Sequence, residues 1–64
     1  MNNKIAELRK GLDMTQDDLA KAVGISRPYL SDIENSKYNP GGPLMLKIAK
    51  VLKATVEDVF SDDE

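Results

Sequence analysis

The sequence predicts an all-α protein of five helices, and three features of the chain support this fold class. Apolar residues recur every three or four positions along its length, which is the spacing of one helix face. No stretch shows the strict alternation or the run of β-branched residues that a strand needs. Threonine, serine, glycine and proline stand where helices would begin and end. At 64 residues the chain has room for one domain, which we expect to span residues 1–64.

The first helix is predicted over roughly residues 2–10. Ile5, Leu8 and Leu12 follow an i, i+3, i+7 pattern, which puts them on one inward face. Gly11 is placed to end this helix, because glycine commonly follows the last helical turn. A short turn is expected to follow it.

The second and third helices are predicted to form a helix-turn-helix. Thr15 can accept a hydrogen bond from the amide of Asp18 while the Asp18 carboxylate reaches back, a capping box for a helix over about residues 15–22. Gly24 follows as a turn residue that takes positive φ at little cost. Ser26 then caps the third helix. The short, glycine-containing turn between the two helices is typical of a helix-turn-helix.

The remaining apolar positions predict a fourth and a fifth helix. Pro43 suits the first position of the fourth helix, and Leu44, Ile48 and Leu52 give it a core stripe. Thr55 starts a second capping pattern, which predicts a fifth helix of one or two turns.

The composition argues against an enzyme, a metal protein and a membrane protein. The chain has no cysteine and no histidine, which removes thiol nucleophiles, imidazole acid–base catalysis and the usual soft metal ligands. No apolar run approaches the roughly 20 residues that span a bilayer, and the amino-terminal residues lack the apolar stretch of a signal peptide. We expect no catalytic residue, metal, cofactor or small-molecule ligand, and a soluble, cytoplasmic protein.

The charges are unevenly distributed along the chain. The net charge is −2, but five of the eleven acidic residues fall in residues 57–64. Residues 1–56 carry nine basic and six acidic side chains, a balance of +3. A charged partner responds to the local potential within a Debye length of roughly 8 Å. The acidic total therefore does not exclude a nucleic-acid partner.

The run TQDDLAKAVGISRPYLSDIEN, with its helix, glycine turn and helix, resembles the Cro/repressor-type (XRE) helix-turn-helix family of small DNA-binding transcriptional regulators. The resemblance extends from Lys4 to Phe60. It implies a five-helix repressor-like domain that binds double-stranded DNA, with the third helix as the recognition helix. The expected function is a sequence-specific regulator, most simply a repressor, that binds an inverted repeat as a homodimer. The alternative is an antitoxin or another protein-interaction module on the same fold.

The resemblance and the chemistry of helix ends assign roles to individual positions. Gln16 matches a glutamine that bonds a phosphate and braces the recognition helix. Arg9 and Glu34 match a pair that forms an interhelical salt bridge in some members. The positions expected to face base edges are Arg27, Pro28 and Asp32. The positions expected to contact the DNA backbone are Gln16, Ser26, Tyr29, Asn35, Lys37 and Tyr38.

Each of these roles has a simpler alternative. Arg27 can donate two hydrogen bonds to a guanine. Alternatively it is a solvated arginine in the first turn of a helix, where the positive end of the helix dipole disfavours a cation. Asp32 can accept from a cytosine, or it can repel unsuitable sequences. Tyr29 and Tyr38 can contact phosphates, or they can pack their rings at the junction of the third and fourth helices. For Lys37 a phosphate contact is expected, because a lysine that neutralises a phosphate releases counterions and so favours binding.

Two further features concern the loop after the third helix and the end of the chain. Where relatives commonly have serine and leucine, this sequence has Gly41 and Gly42, so a weaker cap of the fourth helix is expected. Val56, Val59 and Phe60 form an apolar patch that a second copy of the chain could cover. In a dimer, the two recognition helices would lie about 34 Å apart and could read the two half-sites of a palindrome.

Overall fold

A computed structural model describes residues 3–60, and no strand occurs in this part of the chain. The helices are α1 (Ile5–Gly11), α2 (Gln16–Val23), α3 (Arg27–Glu34), α4 (Gly42–Val51) and α5 (Val56–Phe60). The prediction of an all-α fold with five helices is confirmed. The predicted start of the first helix at residue 2 lies outside the described residues, and within them α1 begins at Ile5.

Three helix starts are fixed by hydrogen bonds between residues three positions apart. The Thr15 hydroxyl accepts from the Asp18 amide and the Thr15 amide donates to the Asp18 carboxylate, both at 3.0 Å. Thr55 and Asp58 make the same two bonds at the start of α5, in the same order at 3.0 and 3.3 Å. The Ser26 hydroxyl accepts from an amide in the first turn of α3 at 3.2 Å. The three predicted caps are thereby confirmed, and each stabilises its helix by roughly 1 kcal/mol.

The start of α4 lacks a side-chain cap. Its N-cap is Gly41, which has no side-chain bond to offer, and Pro43 occupies the first turn. This agrees with the weaker cap expected there. The first-turn amides of α4 are therefore left to solvent or to a bound partner.

The helices α1 to α4 are each followed by a residue in the left-handed conformation, and only one of these is glycine. The four residues and their φ angles are Asp13 (58°), Gly24 (90°), Ser36 (63°) and Lys53 (57°). At these residues the following amide bonds back to a carbonyl of the last helical turn, which satisfies groups that the helix end would leave unpaired.

The first helix ends at Gly11, as the sequence predicts, and the expected short turn follows it. Gly11 is the last residue of α1, and the chain reverses two residues later, at Asp13. The amides of Asp13 and Met14 bond to carbonyls of α1, each at 3.0 Å. Because the helix has already ended, Leu12 falls off the inward face and is 38% exposed. The prediction that Leu12 lies on the inward face with Ile5 and Leu8 is therefore wrong.

The core lies between the helices and includes side chains from all five. α2 packs against α3 and α4, α4 also packs against α5, and α1 contacts α2 and α5. The predicted stripe of α4 is buried at Ile48 and Leu52 but only partly buried at Leu44. The buried apolar residues are Ile5, Leu19, Ala20, Val23, Leu30, Ile33, Ile48, Ala49, Leu52, Val59 and Phe60.

The residues before α1 fasten it to the elements on either side. The Lys4 amide donates to the Val59 carbonyl at 2.8 Å. The side-chain amide of Asn3 donates to the Ile33 carbonyl at 2.9 Å, and its oxygen accepts from the Ile5 amide at 3.2 Å. The carboxyl end of α3 is therefore held by residues distant in the chain.

Candidate nucleic-acid interface

The third helix has one buried and one accessible face. Leu30 and Ile33 have no exposed surface, and they anchor α3 to the core. The opposite face is polar and lies at the surface over the whole length of the helix. From amino to carboxyl end, this face carries Arg27, Pro28, Ser31, Asp32 and Asn35, with Ser31 and Asp32 partly buried.

The amino end of α3 presents Arg27 with most of its hydrogen-bonding capacity unused. Its Nε donates to Gln16 Oε1 at 3.5 Å, which is a long and weak bond. The other guanidinium N–H groups have no partner among residues 3–60. Pro28 beside it is exposed and has no N–H to donate, so it offers only apolar contact.

Gln16 links the two ends of α3. Its Nε2 donates to Glu34 Oε1 at 3.0 Å, and its oxygen accepts from Arg27. Because the nitrogen of this amide is bound to a carboxylate, the oxygen faces the guanidinium. The Gln16 side chain thus braces α3, and its second amide hydrogen is the donor that a phosphate would use.

Arg9 and Glu34, the pair named from the sequence, form a buried ion pair between α1 and α3. Arg9 Nε and Nη2 donate to the two carboxylate oxygens at 3.0 and 3.2 Å, and Nη1 donates to the Met14 carbonyl at 3.0 Å. The two side chains are only 9% and 7% exposed. Each charged group is satisfied by several hydrogen bonds, which is the condition for burying an ion pair without a large penalty.

The amino ends of α2 and α3 differ in charge. Asp17 and Asp18 stand in the first turn of α2, and the hydrogen bond from the Thr15 backbone N–H lowers the pKa of Asp18 below its ordinary value of 3.8. The first turn of α3 contains no acidic residue. A helix start carries roughly half a positive charge, so the start of α3 is the one that favours an anion. Ser26 stands there; its oxygen accepts from the Tyr29 amide, and its hydroxyl hydrogen has no acceptor within residues 3–60.

The segment after α3 combines a cation with an aromatic pair. Lys37 is exposed and makes no ion pair within residues 3–60. The ring of Tyr38, 54% exposed, meets the partly buried ring of Tyr29 edge to face, with centroids 5.6 Å apart. Asn35 uses its side-chain amide to bond the Ser31 carbonyl at 2.9 Å, which closes the end of α3.

Ser31 is a candidate contact residue that the sequence analysis missed. It lies four positions after Arg27, one helical turn along the accessible face, and is partly buried beside Asn35. Its position on the helix was the available signal. A serine at a turn-length spacing from an exposed arginine belongs to the same face.

The apolar patch predicted as a subunit contact is largely occupied within the monomer. Val59 has no exposed surface and Phe60 is 6% exposed, because both side chains fill the core. Only Val56 of this group remains partly exposed. The prediction that Val59 and Phe60 lie on an accessible dimer surface is corrected accordingly.

No helix within residues 3–60 is long and apolar enough to cross a membrane. The same residues contain no group of three or more carboxylates positioned to hold a metal ion.

Comparison with known proteins gives concordant matches. A family model described as helix-turn-helix matches residues 5–59. An uncharacterized HTH-type transcriptional regulator of Archaeoglobus fulgidus is 45% identical over 64 residues, which covers all of this chain and 90% of that protein. The P22 c2 repressor bound to a synthetic operator is similar in structure, with TM-score 0.85, 32% identity, and coverage of 94% of this chain and 91% of that one. A chain of the SinR–SinI complex has TM-score 0.84 and 28% identity over 92% of this chain, which spans 58% of that one.

Proposed function

Because the chain belongs to the helix-turn-helix family of Cro/repressor-type transcriptional regulators, we propose that α3 enters the major groove of DNA and reads a specific operator. The observation that carries this proposal is the accessible face of α3, which exposes an arginine at a helix start without acidic residues. The proposed activity is binding, without catalysis. The proposed site of action is the cytoplasm.

The proposed division of contacts follows from the position of each side chain. Arg27 donates to the O6 and N7 atoms of a guanine, a pairing that discriminates by about 1–3 kcal/mol. Pro28 packs against a thymine methyl group, and Asp32 accepts from a cytosine or rejects other bases. The contacts to the DNA backbone come from both ends of α3 and from the start of α2, and they set the register of the protein on the duplex. These are Gln16, Ser26, Tyr29, Asn35, Lys37 and Tyr38.

We further propose that two copies bind together to an inverted repeat. Half-sites separated by one turn of DNA are roughly 34 Å apart, and one copy of the chain has a single recognition helix, α3. One copy therefore cannot place a recognition helix in both half-sites. The proposed role as a repressor is supported by the similarity to the P22 c2 repressor, whose structure contains an operator.

The test is selection of bound duplexes from a random DNA pool at about 0.15 M salt, a concentration that weakens purely electrostatic binding. An enriched inverted repeat, bound by two copies, is the expected result. Enrichment of a single half-site would reject the dimeric arrangement but keep α3 as the reading element. No enrichment by folded protein would reject the proposed function and favour a protein-interaction module on this fold.

A further inference from the structure

A second surface lies beside the helix-turn-helix, in a groove between the turn and α4. The groove has a volume of about 590 Å³, which is within the range of about 300–1,000 Å³ typical of binding sites. It includes none of the side chains assigned to DNA. Its lining residues are Val23, Gly24, Ile25, Pro43, Leu44, Leu46, Lys47 and Lys50.

The floor of this groove exposes apolar surface that the monomer does not cover. Leu46 is 50% exposed, although it lies in the middle of α4. Ile25 and Leu44, which also line the groove, are only partly buried. An exposed leucine in a concave site with other incompletely buried apolar side chains is what a partner's apolar side chain would cover.

The charge of the groove is of one sign. Lys47 and Lys50 line it on one side of α4, and no carboxylate within residues 3–60 lines it. Neither lysine forms an ion pair within residues 3–60. These two positions are three residues apart, so the ammonium groups stand about one helical turn from each other.

We propose that this groove binds a segment of another protein that has apolar side chains flanked by carboxylates. The apolar side chains would cover Leu46, and the carboxylates would pair with Lys47 and Lys50. The groove extends from Pro43 to Lys50 along α4, roughly 10 Å at 1.5 Å per residue, which fits about two turns of a partner helix. This inference concerns a surface separate from the DNA-reading face and does not rest on the proposed function.

The acidic, apolar segment within the described chain is not a suitable occupant. α5 carries Glu57 and Asp58, but its Val59 and Phe60 are buried in the core of their own monomer. A second copy therefore cannot offer those side chains without unfolding α5. DNA is also a poorer occupant, because phosphates would leave the apolar floor exposed to water.

The experiment uses the full chain and three synthetic 12-residue peptides, without DNA. The first peptide carries leucines at i and i+4 flanked by glutamates. In the second peptide serines replace the leucines, and in the third lysines replace the glutamates. Binding is measured by fluorescence anisotropy, and the contact surface is mapped by amide chemical shifts. Only the first peptide should bind, with shifts concentrated at Ile25, Leu46 and Lys47.

Variants of the protein separate the two components of the site. Lys47→Glu combined with Lys50→Glu should lower the affinity for the acidic peptide about tenfold and raise the affinity for the lysine peptide. Leu46→Ser should lower the affinity for the acidic peptide by at least about threefold. Lys10→Glu, at an exposed lysine of α1, is the matched control and should leave the affinity unchanged. Circular dichroism checks that each variant is folded.

Several outcomes would overturn this inference. One is equal binding of all three peptides, and another is an affinity that the double charge reversal does not alter. If no peptide binds and Leu46→Ser lowers the mass in solution, a second copy covers the groove. If no peptide binds and the charge reversal lowers the salt dependence of DNA binding, the lysines contact phosphate. Failure of operator selection has no bearing on the peptide measurements, so the two proposals fail separately.

Discussion

At the carboxyl end of α3, Glu34 bonds to side chains of two other helices, whereas at the amino end Arg27 makes one side-chain bond of 3.5 Å. The Glu34 side chain is buried, whereas the Arg27 side chain is exposed. The Asn3 side chain adds a further bond near the buried end, to the Ile33 carbonyl. One helix thus combines a fixed end with an end whose side chains are accessible.

This difference separates the position of the helix from the contacts it makes. The buried end fixes the direction of α3 relative to α1 and α2, because a bidentate arginine–carboxylate pair has a defined geometry. The exposed end can then exchange a weak bond for contacts with a partner at little loss. Substitutions at the two ends should consequently affect different measurements, stability at one and recognition at the other.

The largest expected effect is on stability, from Glu34→Ala. This change leaves the Arg9 guanidinium buried without its carboxylate, and the free energy of unfolding should fall by about 3–5 kcal/mol. Urea unfolding followed by circular dichroism measures the difference. In a domain of this size each kcal/mol lowers the melting temperature by roughly 4–8 °C.

Two controls sharpen this prediction. Lys21→Ala breaks an ion pair with Asp17 whose side chains are 82% and 62% exposed, and it should change stability by less than about 0.5 kcal/mol. Replacing both Arg9 and Glu34 with apolar residues removes the uncompensated charge and should recover most of the loss. A double variant as unstable as Glu34→Ala would show that lost packing, and not the unpaired charge, is responsible.

The next effect, on recognition, is expected from Arg27→Ala. Under the proposed function this variant should lose about 1–3 kcal/mol of discrimination at one base position in each half-site. Its stability should stay within about 0.5 kcal/mol of the original, because the side chain is exposed. Competition binding with operators altered at single positions measures the change. Equal weakening on every sequence would assign Arg27 to the DNA backbone.

A smaller effect on stability is expected at the exposed end itself. Ser26→Ala removes the hydroxyl that accepts from the Tyr29 amide, which should lower the free energy of unfolding by about 1 kcal/mol. Ser26→Thr keeps the acceptor and should retain most of the stability. A loss as large as that of Glu34→Ala would contradict the distinction between the two ends.

The smallest expected effect concerns Lys37, just beyond the buried end. Lys37→Ala should weaken binding evenly across DNA sequences and reduce the slope of log affinity against log salt by roughly one unit. Titrations at several salt concentrations provide the slope. An unchanged slope would remove Lys37 from the proposed phosphate contacts.

The sequence predicts best those features that depend on neighbouring residues. The caps at Thr15, Ser26 and Thr55 join groups three residues apart, so their composition and spacing identify them. The accessible face of α3 follows in the same way from the 3.6-residue period. This is why the order of helices and the accessible face of α3 could be predicted.

Helix ends and surface contacts depend on distant residues, and here the sequence predictions are less accurate. Gly11 ends α1 as predicted, but the left-handed residue that reverses the chain is Asp13, beside a Met14 carbonyl that is held by the Arg9 guanidinium. Val59 and Phe60 have the pattern of an apolar patch. Whether such a patch faces its own core or a partner depends on how α5 packs, which spacing alone does not determine.

The buried Arg9–Glu34 pair also affects how the stability of the protein changes with temperature. The hydration of charged groups becomes less favourable as temperature rises, so the penalty for withdrawing this pair from water decreases on warming, while the contribution of apolar burial levels off. The pair therefore contributes a growing share of the stability as the melting point is approached. A variant with apolar residues at both positions should have the same free energy of unfolding as the original at low temperature and a smaller one at high temperature.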